Sequence, residues 1–420
     1  MMRLSKRAIL VISMVVLVGA CEDKSNVITK SMDTRTIEQR MGAKYTEVPK
    51  SSFKAPQIEQ ISFPIRDNVD AIWGATGRDD TGNIYFGTSS HGADIPNSYL
   101  YQYNPLTNKV DAMGDVISQL KRADLYRPSM GQNKMHSKFY QADDGYVYFS
   151  SFDEEGESEG QNSKWGGHLW RKLPSEVNWE HIMATKEALI AINTDGRYVY
   201  ALGYWGHVLY QYDTVTEKIN REVVGSIAKH ISRNFVVDEN GHAFVPHVYI
   251  DDFNEVKVYL NEYDTSLKLV DSYFLPSYKA DKINTHHGIV GYSSLKNGDI
   301  LFTTSDGGFY QLHKNKTGED KLTHKGHLHP DKANYVASLF SVDGFQFVTG
   351  IGRTKKVYEW IWYELTMDVA QSFVLDVDRF DTLLLYGSLT RDNSGAFYVA
   401  GRYRNSLTGN LEPLLLKLYY

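Results

Sequence analysis

ALIAINTDGRYVYALGYWGHVLYQYDTVT, residues 188–216, decides the fold. An apolar run, Ala188–Thr194, stops at Asp195-Gly196. Tyr198–Tyr204 then alternates aromatic and small residues, and Trp205-Gly206-His207 leads to Val208–Tyr212. β-Branched and aromatic residues in short runs, punctuated by Asp-Gly, read as antiparallel strands joined by tight turns. The Asp-x-x-Thr that follows, Asp213–Thr216, is turn chemistry leading to a fourth strand. The same unit recurs around Gly82, Gly145, Gly241, Gly298, Gly344 and Gly395, at spacings of 45–63 residues. A strand-only repeat of that period indicates a radial array. The expected fold is all-β: a seven-bladed β-propeller of four-stranded antiparallel blades. The seventh unit ends the chain on its third strand, so an N-terminal strand around Ile58–Phe63 is expected to supply the fourth and close the ring.

The N-terminus reads as a targeting segment. Arg3, Lys6 and Arg7 precede the apolar Ala8–Val18, and Gly19-Ala20-Cys21 follows, too short a span for a transmembrane helix. This resembles a bacterial lipobox, implying a signal at 1–20, lipidation of Cys21 and, with Glu22 next, an outer-membrane lipoprotein. Residues 21–56 are polar and read as a tether, leaving 57–420 as the propeller. Cys21 is the one cysteine, so no disulfide is available. Residues 1–20 carry three positive charges and no acid, so their removal takes the net charge from −6 to about −9. That balance excludes a general nucleic-acid footprint; an anionic ligand needs a local cluster. No P-loop, G-x-S-x-G or H-E-x-x-H motif is present.

In a four-stranded blade (strands A to D from the axis outward) the A–B and C–D turns share one face. The B–C loops and the crossovers between blades share the other. The A–B turns are short and uniform, while the B–C loops vary, as in SSHGADIPNS and SFDEEGESEGQNSKWGGH, which puts function on the second rim. That rim collects His91, His136, His168, Tyr204, Trp205, His207, Arg233, Asn234, His247, Tyr249, His287, Arg353 and Arg402. Each has a plainer reading: His136 as a satisfied channel histidine, His168 as the start of a strand, Arg233 in an inter-blade ion pair, and Tyr204 and Tyr249 as packing. Their convergence is the argument. His324, His327 and His329 have metal-like spacing, and Asp153–Glu159 is an acidic run, but a solvated crossover and a solvated flap account for them.

Histidine, tyrosine and arginine on one rim suit proton abstraction beside a carboxylate neutralised by a cation. The paired carboxylates of a glycoside hydrolase are missing from the set. MHSKFYQADDGYVYFSS (135–151), GGHLWR (166–171), YWGHVLYQYD (204–213) and SRNFVVDENGHAFVP (232–246) resemble seven-bladed propeller polysaccharide lyases, the ulvan lyases of families 24 and 25. The resemblance implies β-elimination on a sulfated uronic-acid polysaccharide. It implies catalytic His136 and His168, Arg233 against the carboxylate, and Tyr249 or Tyr204, with Tyr249 preferred. Trp205, His207, Asn234, His247, His287, Arg353 and Arg402 would bind the polymer. The family often has Val-Pro-Arg where this chain has Val245-Pro246-His247, which bears on the arginine assignment. No cofactor is expected for catalysis; a structural zinc or calcium ion is left open. The expected partners are the anionic polysaccharide and a membrane reached through the lipid, with no nucleic acid and a monomeric state. Two other readings stand beside it: a metal-dependent oligogalacturonate lyase type, and a non-catalytic outer-membrane propeller for glycan binding or assembly.

Overall fold

In a computed structural model the described residues are 53–91, 96–155, 162–226, 230, 232–278, 288–331, 336–354, 357–386 and 389–420. They form seven antiparallel sheets, spanning 69–115, 140–185, 188–223, 236–274, 289–327, 336–374 and 381–419. Blade 3 is the simplest: Ala188–Thr194, Tyr198–Tyr204, Val208–Asp213 and Ile219–Val223 pair in that order. In blades 1 and 7 the innermost strand is broken in two, at Val69–Ala71 and Thr76–Arg78, and at Asp381–Leu385 and Thr390–Arg391. Closure follows the expected course. Gln57–Gln60 pairs antiparallel with the C-terminal strand, Gln57 opposite Tyr419 and Gln60 opposite Leu416. Cys21 and His287 lie outside the described residues. Phe53, in the stretch read as tether, packs its ring on Phe347 and Trp362. No helix among the described residues is long and apolar enough to cross a membrane.

The turn glycines do what the repeat requires. All seven have positive φ, from 79° at Gly344 to 108° at Gly196, a region that side chains disfavour. The turn aspartate caps the same corner. Asp79 accepts from the backbone N–H of Thr81 and Asn83, Asp238 from Asn240 and His242, and Asp392 from Ser394 and Ala396. A strand-B tyrosine often adds a bond, as Tyr85 does to Asp79 and Tyr398 to Asp392. These turns also tie neighbouring blades: Arg78 donates to the Arg391 carbonyl and the Asn393 side chain across the seam between blades 1 and 7.

The core lies between blades. Tyr85, Phe139, Phe149, Trp170 and Trp179 fill the joint of blades 1 and 2, and Phe340, Trp360, Phe397 and Leu414 that of blades 6 and 7. Besides one turn of 3-10 helix at Gly318–Lys321, one longer element among the described residues departs from the strand-only reading. The crossover into blade 2 forms a helix, Val116–Arg122, capped by Asp115 accepting from the Ser118 N–H. It buries Val116, Ile117 and Leu120 against the Trp179 cluster, an i, i+4 pattern that strand alternation does not give.

Around the axis the innermost strands nearly touch. Gly77 bridges Phe139, and a Cβ there would lie 2.1 Å from the Phe139 carbonyl oxygen. Gly77→Ala is therefore expected to force blades 1 and 2 apart at a cost of about 1–3 kcal/mol. Thermal unfolding would show a lowered Tm; an unchanged Tm would mean the axis is looser than this contact implies.

Candidate functional site

The rim opposite the Gly turns carries two groups of side-chain contacts, one from blade 7 to the entry of blade 2 and one from blade 2 to blade 4, joined through backbone. The first begins where strand B of blade 7, Phe397–Arg404, ends. The Arg402 guanidinium carbon lies 5.0 Å from the centre of the Trp73 ring, and Lys134 Nζ lies 5.3 Å from it. Trp73 also packs on Tyr386 at 4.4 Å. Beside it His91 bridges two carboxylates, with Nδ1 2.6 Å from Asp70 and Nε2 3.0 Å from Glu154. Glu154 in turn holds Lys134 at 2.6 Å and accepts from Asn133. The hydrogen bonds to Asp70 and then Glu154 outweigh burial and push the His91 imidazole up to about 9, so it is a cation at neutral pH. Burial opposes the Glu154 charge, but bonds from His91 and Lys134 hold its carboxyl down at about 2. Arg402 is less well served. Its Nη1 meets Asp70 at 3.4 Å, and its buried Nε, like the Trp73 indole N–H, has no acceptor among the described residues.

Lys134 joins this group to the next through backbone hydrogen bonds with Phe152 in both directions. The Phe152 ring lies 6.5 Å from His136 and 5.8 Å, edge-on, from Tyr204, and Tyr204 packs on Trp205 at 5.0 Å. Trp205 and His207 flank a glycine in the B–C turn of blade 3, with φ of 69° and 49°. Bulky side chains in the left-handed region are strained, and such strain gathers at working sites. His207 donates from Nε2 to the His230 carbonyl at 2.7 Å, which leaves Nδ1 as its lone-pair nitrogen. Burial lowers its pKa against the opposing pull of that carbonyl, and neighbouring His247 lowers it further. His207 is thus a neutral imidazole of fixed tautomer. His247 donates from Nδ1 to the Gly225 carbonyl at 3.0 Å, and its ring sits 5.8 Å from Tyr249, two residues along the same strand face. Tyr249 is 36% exposed and stacks on Tyr259. Desolvation, and then the Tyr259 hydroxyl, raise its pKa, so the phenol stays protonated. Arg233, half-buried at the entry to blade 4, has no hydrogen bond or ion pair among the described residues. Its neighbour Asn234 is engaged, donating to the Val290 carbonyl at 3.1 Å.

Other residues of the set go elsewhere. His168 lies inside strand C of blade 2, Gly167–Lys172, 3% exposed, with Nδ1 2.9 Å from His181 Nε2. Burial, with His181 beside it, drives its pKa down to about 3, and its buried Nε2 has no partner among the described residues. Arg353 stays on blade 6, its guanidinium carbon 5.3 Å from the Tyr358 ring. The histidine triplet is not a solvated crossover. His324 and His327 belong to strand D of blade 5, while His329 is buried and bonded to Glu359. No group of three metal-ligating side chains occurs among the described residues. The acidic run is no flap at its start. Asp153 is buried and caps the Glu155 and Trp165 N–H groups, and Glu154 is the centre of the ion pairs above; residues 156–161 lie outside the described set. Asp70, Trp73 and Lys134 escaped the sequence reading, and Glu154 entered it only as part of a solvated acidic run. Trp73 had a signal, since it stands at the same blade entry as His136 and Arg233.

No family model and no curated protein matches the chain. Among solved structures it is similar to U3-55K (TM-score 0.51, 9% identity, covering 87% of this chain and 100% of that one). It is also similar to YCF48 bound to D1 peptide (TM-score 0.51, 10% identity, 89% and 98%). A putative 6-phosphogluconolactonase from Bacteroides uniformis matches with a TM-score of 0.49 and 13% identity, over 79% and 94%. At such identities what the first two share with this chain is the fold alone.

The His91 bridge has a defined pH signature. Its folded pKa of about 9 stands above the ordinary 6.5, so its contribution to stability is complete below 6.5 and is lost as pH rises through 9. The Tm of the wild type is expected to fall over that window more steeply than that of His91→Gln. Parallel Tm–pH curves would show that the bridge contributes nothing.

Proposed function

We propose that the protein is a polysaccharide lyase that cleaves a uronic-acid-containing, sulfated polysaccharide by β-elimination on the rim of blades 2 to 4. The observation that carries the reading is His207: a neutral imidazole, its tautomer fixed by a backbone carbonyl, beside His247, whose ring neighbours Tyr249, and on the same rim as Arg233, which has no partner among the described residues. A base, an acid and a cation are the three groups the reaction needs.

Arg233 receives the uronate carboxylate and stabilises the charge that builds on it when the C5 proton leaves. His207 Nδ1 takes that proton. The electron pair forms the C4–C5 double bond as the C4–O bond breaks, and the Tyr249 hydroxyl protonates the departing oxygen. The raised pKa of Tyr249 suits the acid and not the base. Trp205 and His136 line the polymer's path. His168, buried on His181, serves as a positioning residue of the blade 2 wall. The resemblance to ulvan lyases of the four quoted stretches supplies the polymer class, and Cys21 would carry the lipid that holds the enzyme at the outer membrane.

Incubation with ulvan is expected to raise the ultraviolet absorbance of unsaturated uronates, undiminished after chelation. His207→Ala and Arg233→Ala should each lower kcat/KM by on the order of 10²–10⁴-fold. Because the His207 pKa is lowered, the acid limb of the pH profile should fall below the ordinary imidazole value of about 6.5. No absorbance rise with the wild type would sink the proposal. Loss of turnover on chelation would favour the metal-dependent lyase type.

A further inference from the structure

We infer that the rim of blades 7, 1 and 2 is a separate binding subsite for the anionic group of an acidic sugar, a carboxylate or a sulfate ester, received by Arg402 and presented by Trp73. The inference rests on the reading above for the kind of polymer, but not for its cleavage.

The argument is one of donor supply. Among the described residues, Arg402, Lys134 and His91 are set against only Asp70 and Glu154. His91 clamps both carboxylates at 2.6 and 3.0 Å, and Lys134 takes Glu154 at 2.6 Å. What remains for Arg402 is one long contact to Asp70, at 3.4 Å. The guanidinium is held instead against the Trp73 ring at 5.0 Å. An aromatic face attracts a cation without consuming its N–H groups, whereas an ion pair consumes them. Arg402 is therefore fixed in place with most of its fork unspent, the arrangement that receives a planar carboxylate or one edge of a sulfate. Asp70 and Glu154, engaged by His91, are muted as repelling charges. Lys134, Phe152 and Tyr204 lead in contact to Trp205, in the same blade 3 turn as His207, so one extended polymer can run along the rim past both sites.

The test is calorimetric titration of the His207→Ala protein, which should not turn substrate over. The three probes are an oligoglucuronate, a sulfated dextran oligosaccharide and a neutral malto-oligosaccharide. Binding of one or both acidic probes, weakening with added salt, and none of the neutral one, is expected; which acidic probe binds tells carboxylate from sulfate. Adding Arg402→Gln should weaken binding tenfold or more, and Arg402→Lys should restore only part, because lysine keeps the charge and loses the fork. Trp73→Phe should retain more affinity than Trp73→Leu, since a ring still holds the cation. Equal affinity of Arg402→Gln and its parent for the acidic probes, or equal binding of the neutral probe, would overturn the inference. Acidic-probe binding that depends on Arg402 in a wild type without lyase turnover would uphold this subsite and defeat the lyase reading.

Discussion

A ring of blades has no terminal edge only if its two ends find each other, and here four residue pairs accomplish that. Gln57–Gln60 against Leu416–Tyr419 turns seven separate sheets into a closed cycle in which each blade is braced on both sides. Without that ladder the last strand of the chain would present unpaired N–H and C=O groups, and the aromatic joints between blades would lose their fixed spacing. The rim inherits its geometry from the same condition. Arg402 belongs to blade 7, Trp73 to blade 1 and Lys134 to the entry of blade 2, so a slip at the seam would part the guanidinium from its ring.

The two faces divide the work by their chemistry. On one, the aspartate carboxylates of the short turns accept bonds from backbone N–H groups and strand-B tyrosine hydroxyls. On the other, the protein satisfies its polar groups unevenly. Among the described residues, His91 and Glu154 are engaged, Arg402 has one long contact and Arg233 has none, and Trp205 and His207 sit in a strained turn. Uneven satisfaction costs stability, and the well-bonded turn face offsets it.

The blades were legible because both of their signals are local: alternation of aromatic and β-branched residues, and an Asp-Gly corner. Closure was legible because the seventh unit stops one strand short. The helix Val116–Arg122 was missed because its period of 3.6 is hidden between strands of period 2. The site was legible by face and not by partner. Counting from the turns put His168 at the rim, but strand alternation turns it inward with Trp170 and onto His181. Trp73 stands at a repeating blade entry, but Lys134 and Glu154 come from non-periodic stretches, and nothing in the linear order announces that His91 would need two carboxylates. Such pairings depend on the angle between neighbouring blades, which is a property of the closed ring.

The seam is also where the chain enters the fold. Tension arriving from the N-terminal side meets the closing strand before any other ladder, so a four-residue join is the first to carry a load. Phe53 stands upstream of that strand, its ring set against Phe347 and Trp362 of blade 6. It acts as a strain relief: a pull must first draw an aromatic ring out of its socket on a neighbouring blade before the four-residue ladder feels it.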